Sequence, residues 1–173
     1  MTDKYMSEPI IVEWKEQPYA AIPIEANLLE WDQVHALVGE LFHWVEQHDL
    51  LVTGAPFYRY WVIGGVKEAY QLEVGLPVER MVIGDGRIIG SVIPGGSYIK
   101  AEHTGHPDRL DYSLEALLRW AEVQGLSLDK RYEGETEIWN GRFEFYGNDP
   151  ELEPDLDKWK IEIACLILRD RVA

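Results

Sequence analysis

The sequence predicts an α+β fold in which a strand–helix–strand–strand unit occurs twice, with the two copies related by a pseudo-twofold axis. Two observations predict it. Apolar periodicity runs strand, helix, strand, strand through the first half of the 173-residue chain, and the same order returns in the second. The two halves also match residue by residue. Leu41–Leu50 (LFHWVEQHDL) lies over Leu117–Leu126 (LLRWAEVQGL), with Trp44 on Trp120 and Glu46 on Glu122. Phe57–Trp61 (FYRYW) lies over Phe143–Gly147 (FEFYG), with Tyr58 on Glu144 and Tyr60 on Tyr146. Leu72–Val78 lies over Ile161–Ile167, with Glu73 on Glu162. Three matches in one order argue for an internal duplication, with a period too long for a solenoid. The expectation is one domain over 1–173, with copies at about 8–80 and about 87–169.

Each element has a local reason. Pro9–Trp14 alternates as a first strand, Gln17-Pro18 interrupts it, and Tyr19–Ile24 resumes it, which suggests a bulge or bend. Asn27 with Glu30 fits a capping box for a helix running to about His48. Val34, Leu37, Leu41, Trp44 and Val45 form its apolar stripe. Phe57–Ile63 is a strand, Gly64-Gly65 a turn, and Tyr70–Val74 a strand ended by Gly75 and Pro77. Asp85-Gly86 is a hairpin dipeptide within the connection between the halves.

The second copy follows the same logic. Ile88–Ile93 is apolar, Pro94-Gly95-Gly96 punctuates it, and Ser97–His103 alternates as a strand. His106-Pro107-Asp108 opens a helix whose stripe is Leu110, Leu114, Leu117, Leu118 and Ala121, with Gly125 as its C′ residue. After a polar, acidic stretch, Glu137–Tyr146 and Lys158–Leu168 complete the unit as two strands.

Composition bounds the function. A net charge of −15 disfavours direct contact with nucleic acid or with an anionic membrane, and attracts cations instead. Cys165 is the only cysteine, so no internal disulfide and no thiolate metal cluster are expected. No stretch is apolar enough to span a membrane, and Met1–Pro9 has no signal core, so a cytoplasmic protein is expected. The five His show no metal spacing, the glycine pairs open no phosphate loop, and no serine sits in a nucleophile elbow. No metal and no cofactor are expected. The acidic stretch Asp149–Asp157 lacks calcium-loop spacing and reads as a solvated loop.

The stretch that carries chemistry is Gly141–Pro150 (GRFEFYGNDP). On a strand, Arg142, Glu144 and Tyr146 share one face while Phe143 and Phe145 share the other, and Asn148-Asp149-Pro150 ends it. Glu144 is either the floor of a pocket or an exposed strand residue paired with an Arg. A three-stranded sheet with one helix is too small to bury itself well. Two such units paired make one larger sheet, whose seam is a natural concave site. With 7 Trp and 9 Tyr, aromatic side chains are numerous enough to line it. Candidates are Tyr58, Tyr60, Tyr98, Tyr146 and Trp120. Trp44 and Trp120 also suit the core.

These residues resemble a known family, the GyrI-like (gyrase-inhibitor-like) small-molecule-binding domain. The same module is the effector-binding half of some bacterial regulators of the AraC and MerR types. The resemblance rests on LFHWVEQHDLLVTGAPFYRYW, LEVGLPV, GGSYIKAEHTGHPDRL and FEFYGNDPELEPDLDKWKIEIACLI, which cover most of the chain after Met6. It departs from the family near the end of the last strand, where Cys165 replaces a usual Pro. The resemblance implies an antiparallel sheet with two helices and a central groove. It also implies ligands that are bulky, planar, lipophilic and cationic, met by a Glu on the penultimate strand, the position of Glu144.

Three functions follow from the resemblance. The first is a standalone binder of xenobiotic-like aromatic cations through Glu144, with Tyr58, Tyr60, Tyr98, Trp120 and Tyr146, which rest on geometry alone, as its aromatic walls. Both copies use up the chain, so no DNA-binding domain is expected within it. The second is a hydrolase that opens cyclopropane rings of DNA-alkylating natural products, with Glu144 as general base and Tyr58 or Tyr146 as hydrogen-bond donor. The third is a protein-interaction module whose partner is gyrase or a regulator.

Overall fold

A computed structural model describes residues 5–26, 31–64, 70–147 and 154–168. The Asn27/Glu30 capping box, Gly65 and the Asn148-Asp149-Pro150 break lie outside them, as does most of the acidic stretch. The strands are β1 (Ile10–Trp14), β2 (Gln17–Ala26), β3 (Phe57–Ile63), β4 (Tyr70–Pro77), β5 (Ile89–Ile93), β6 (Gly96–Thr104), β7 (Lys130–Glu133), β8 (Thr136–Trp139), β9 (Arg142–Tyr146) and β10 (Lys160–Leu166). The helices are α1 (Trp31–Gln47) and α2 (Leu110–Val123).

One antiparallel sheet runs β1-β6-β10-β9-β3-β4-β2-β5. From its centre outward it reads the same way twice, β3-β4-β2-β5 and β9-β10-β6-β1, so the pseudo-twofold passes between β3 and β9. The outermost strands are exchanged. β1 pairs with β6 of the second copy, and β5 pairs with β2 of the first. Pro9–Trp14 and Tyr19–Ile24 are therefore separate strands in distant parts of the sheet, not one bent strand. Lys15 and Glu16, both exposed, make the break.

Three other elements differ from expectation. Glu137–Tyr146 is divided at Asn140-Gly141 into β8 and β9. A further strand, β7, forms a hairpin with β8 across Gly134, whose φ of 64 favours glycine. A register shift between Tyr60 and Val62 lets β3 pair with β9 and then with β8. β4 runs on through Gly75 to Pro77 because Gly75 makes room for a neighbour. A Cβ there would stand 2.4 Å from the Phe57 ring.

Both helices lie on one face of the sheet. Val34, Leu37, Leu41, Trp44 and Val45 of α1 pack on Ile22, Leu72, Val74 and Leu76. Leu110, Leu117 and Ala121 of α2 pack on Ile99, Ile161, Ile163 and Trp139. The helix-free face has its own aromatic core, built from Tyr19, Phe57, Tyr98 and Phe143. Phe143 and Phe145 thus bury on one side of β9 while Arg142, Glu144 and Tyr146 face the helices, as period two requires. Among the described residues no helix is long and apolar enough to cross a membrane.

Candidate functional site

β9 places Glu144 between Tyr58 of β3 and Ile163 of β10. Glu144 is 5% exposed, with Tyr58 and Tyr60 buried beside it. Tyr60 and Tyr146 each donate a hydroxyl to the same carboxylate oxygen, Oε2, at 3.1 Å. The Tyr58 and Tyr146 rings meet at 4.9 Å and 50°. A carboxylate therefore sits at the bottom of a cluster of three phenols.

α1 closes this cluster from above. His35 Nδ1 shares a 2.7 Å hydrogen bond with the Tyr58 hydroxyl. The His35 ring stands edge-on to Tyr146 at 5.8 Å and to the buried Trp159 at 6.4 Å. His35 is itself exposed, so it forms the boundary between solvent and the cluster.

Burial holds the Glu144 carboxyl above its ordinary range. The Arg142 charge and the two tyrosine hydroxyls pull in the opposite direction, while Asp111 of α2 adds to the rise. Arg142 turns its guanidinium toward the Tyr60 and Trp139 rings, at 4.9 and 5.3 Å. Tyr58, Tyr60 and Tyr146 are pushed well up by burial and then by Glu144, so they stay neutral donors.

Of the candidates read from the sequence, Glu144, Tyr58, Tyr60 and Tyr146 come together. Tyr98 is on the helix-free face, where its hydroxyl donates to the Pro94 carbonyl at 2.7 Å. Trp120 packs half-buried against the α2 core, and Trp44 is buried and stacks on His48 at 4.0 Å. Cys165 is buried, its thiol pushed up to about 12, which leaves it inert. His35, Asp111, Arg142 and Trp159 are further parts of the site. The duplication carried a signal for two of them. His35 precedes Trp44 by the same nine positions that separate Asp111 from Trp120.

Comparison with known proteins agrees with this fold. The profile of the GyrI-like small molecule binding domain matches residues 7–167. The chain belongs to this family.

Solved structures place the GyrI-like chain among similar folds. The EcmrR C-terminal domain aligns with a TM-score of 0.76 at 20% identity, over 94% of this chain and 98% of that one. EcmrR in a complex with DNA aligns at 0.78 and 19% identity, over 96% of this chain, which spans only 59% of the EcmrR length. A hydrolase from Listeria innocua aligns at 0.61 and 12%, over 93% of this chain and 92% of that one. SAV2435 bound to tetraphenylphosphonium aligns at 0.54 and 11%, over 94% of each. No curated protein matches the sequence.

Chemically, the arrangement offers a cation one buried carboxylate and several aromatic faces. It also offers a proton acceptor whose affinity for protons is raised by burial. Among the described residues no group of His, Cys, Asp or Glu is arranged to hold a metal ion.

Proposed function

We propose that this GyrI-like protein binds bulky, planar, lipophilic cations at Glu144, between the aromatic faces of Tyr58, Tyr60 and Tyr146. One observation carries the reading: a buried carboxylate whose ionised form is disfavoured by its surroundings. Such a group has gained little from its own fold and gains most when a desolvated cation arrives. Aromatic faces add ~0.5–2 kcal/mol each by cation–π attraction. Neutral ligands of equal shape receive neither contribution. The tetraphenylphosphonium held by SAV2435 is likewise a bulky, lipophilic, aromatic cation, tetrahedral rather than planar.

At 5% exposure Glu144 is reached only if the cover above it yields. His35 is the residue to displace, since it alone among the described side chains joins α1 to Tyr58 by a hydrogen bond. The test is a calorimetric titration with tetraphenylphosphonium across pH. Affinity rises with pH as Glu144 ionises if the reading holds. Affinity independent of pH between about 5 and about 8 contradicts it.

A second reading has its own support. Tyr60 and Tyr146 both donate to Oε2, and burial raises the proton affinity of the carboxylate, as a general base needs. Glu144 then takes a proton from a water whose oxygen bonds to a strained-ring carbon as a ring C–C bond breaks; the electron pair passes to a conjugated substrate carbonyl held by a tyrosine hydroxyl, and the proton on Glu144 returns to the product. The structural similarity to a protein described as a hydrolase is compatible with this. Product formation that is lost in Glu144→Gln distinguishes turnover from binding alone.

A further inference from the structure

The helix-free face of the sheet holds a cleft of about 390 Å³, far from Glu144 in the sense that the sheet lies between them. Trp14, Lys15, Thr53, Gly54, Phe145 and Glu162 are among its walls. The duplication offers a comparison for this cleft, because the corresponding position in the first copy is filled by a side chain of the protein itself.

The correspondence follows from strand register. Arg59 pairs with Glu73 across β3 and β4, and Phe145 pairs with Glu162 across β9 and β10. Phe145 thus stands where Arg59 does, and Glu162 where Glu73 does. Ile93 pairs with Gln17 at the start of β2, and Trp14 pairs with Gly96 at the start of β6. Trp14 is therefore the counterpart of Ile93, and Glu13 that of Val92. Gly54 precedes Phe57 by three residues, as Asn140 precedes Phe143.

In the first copy the Arg59 guanidinium occupies this position. It donates to the carbonyl oxygens of Val92 at 2.9 Å and Asn140 at 2.7 Å, and to the Tyr19 hydroxyl at 2.8 Å. Tyr19 in turn donates to Glu73 at 2.6 Å. The guanidinium lies 3.9 Å from the centre of the Trp61 ring and 5.2 Å from that of Phe143. So this fold already contains a cradle for a guanidinium, made of backbone carbonyls, aromatic faces and a carboxylate.

The second copy keeps part of the cradle, the two carbonyl positions and the carboxylate, and loses the guanidinium together with the Trp61 face, whose counterpart is Gly147. Phe145 is too short and too apolar to fill the space as Arg59 does. Glu13 and Gly54, the counterparts of the two carbonyl acceptors, line the cleft, and Glu162 lines it as the carboxylate. Trp14 supplies an aromatic face, 5.8 Å from Phe145 and perpendicular to it at 87°. Glu162 is half-buried, and its pairing with Lys100 is loose at 3.6 Å. Lys15, at the rim, is exposed to solvent. The size falls within the range of small-molecule sites, and a planar guanidinium fits a carboxylate and a ring face better than an ammonium does.

We propose that this cleft is a second binding site, separate from that of Glu144, and that it takes small guanidinium compounds, with Trp14 and Phe145 against the planar cation and Glu162 as its charge partner. The Phe145→Arg variant puts back the internal guanidinium at the position Arg59 holds in the first copy, and so competes with any added one.

Agmatine is the probe, with an alkyl diamine of equal length as the comparison. Titration is followed by calorimetry and by the Trp14 indole resonance. Saturable binding of agmatine to the wild type, at least fivefold tighter than the diamine, is the expected result. It weakens at least fivefold in Glu162→Gln and in Phe145→Arg, and it persists in Glu144→Gln. Absence of saturation by about 10 mM, a free energy weaker than about 3 kcal/mol, overturns the proposal. So does binding that survives in both Glu162→Gln and Phe145→Arg. Binding lost in Glu144→Gln but kept in Glu162→Gln assigns the cation to the helix side and also overturns it.

Discussion

Tyr58 and Glu144 are register partners across the seam between β3 and β9. They are also each other's counterparts in the duplicated sequence. The pseudo-twofold therefore passes between them, and duplication followed by divergence at one position has set a phenol against a carboxylate. The asymmetry of the site begins with that pair. On the two helices above, the counterparts His35 of α1 and Asp111 of α2 repeat it, one hydrogen-bonded to Tyr58 and the other raising the proton affinity of Glu144.

Glu144 burdens the fold when it is ionised. Its folded-state pKa is raised, so the cost is absent in acid, where the carboxyl is protonated in both states. The cost grows as pH rises through the unfolded-state value of about 4.3, and is complete above the folded-state value. Glu144→Gln is expected to melt higher than the wild type near pH 7.5 by about 2–4 °C, roughly 1 kcal/mol. The two curves converge near about pH 4. Thermal melts at both pH values check this.

His35→Ala removes the hydrogen bond that ties α1 to Tyr58. A neutral hydrogen bond at an exposed residue is worth ~0.5–1.5 kcal/mol. The expected outcome is a small loss of stability together with a gain in affinity for a lipophilic cation of about threefold or more. Stopped-flow association locates the gain in the on-rate, because the cover is part of the path.

Much of this was legible beforehand, and the reasons are specific. The stripes of α1 and α2, the aromatic alternation of β3 and the two faces of β9 follow from period, so Glu144, Tyr58, Tyr60 and Tyr146 could be named together. The exchange of β1 and β5 was not legible. Whether Ile10–Trp14 pairs with its own copy or the other depends on non-local partners that alternation does not reveal. The β7–β8 hairpin was hidden by its polarity, since three of its four β7 residues are exposed. His35 and Trp159 were missed because neither has a local pattern; they reach the site through the paths of α1 and of the turn before β10. Tyr98 looked equivalent to the site tyrosines in composition, but its position in β6 puts it on the opposite face.

Gly75 tests the packing of the helix-free face. An added Cβ meets the Phe57 ring at 2.4 Å, in a strand pair where neither backbone has room to retreat. Gly75→Ala is expected to cost ~1–3 kcal/mol, seen as a lower urea midpoint with an unchanged slope.

Arg59 tests the buried polar network. Its guanidinium satisfies two carbonyls and the Tyr19 hydroxyl, and removing it leaves Glu73 buried with less positive charge nearby. Arg59→Met keeps the volume and loses the donors. The expected cost is ~2–4 kcal/mol, read by urea unfolding, with little effect on cation binding at Glu144 because the sheet lies between the two.

The measurement that bears most directly on the account is titration of a rhodamine dye, a fluorescent lipophilic cation, into the wild type and Glu144→Gln at neutral pH. The account predicts saturable binding to the wild type at micromolar concentration, weakened at least tenfold, about 1.4 kcal/mol, in a variant that remains fully folded. Equal affinity for both proteins would contradict it, because the carboxylate at the base of the tyrosine cluster would then have no part in recognition.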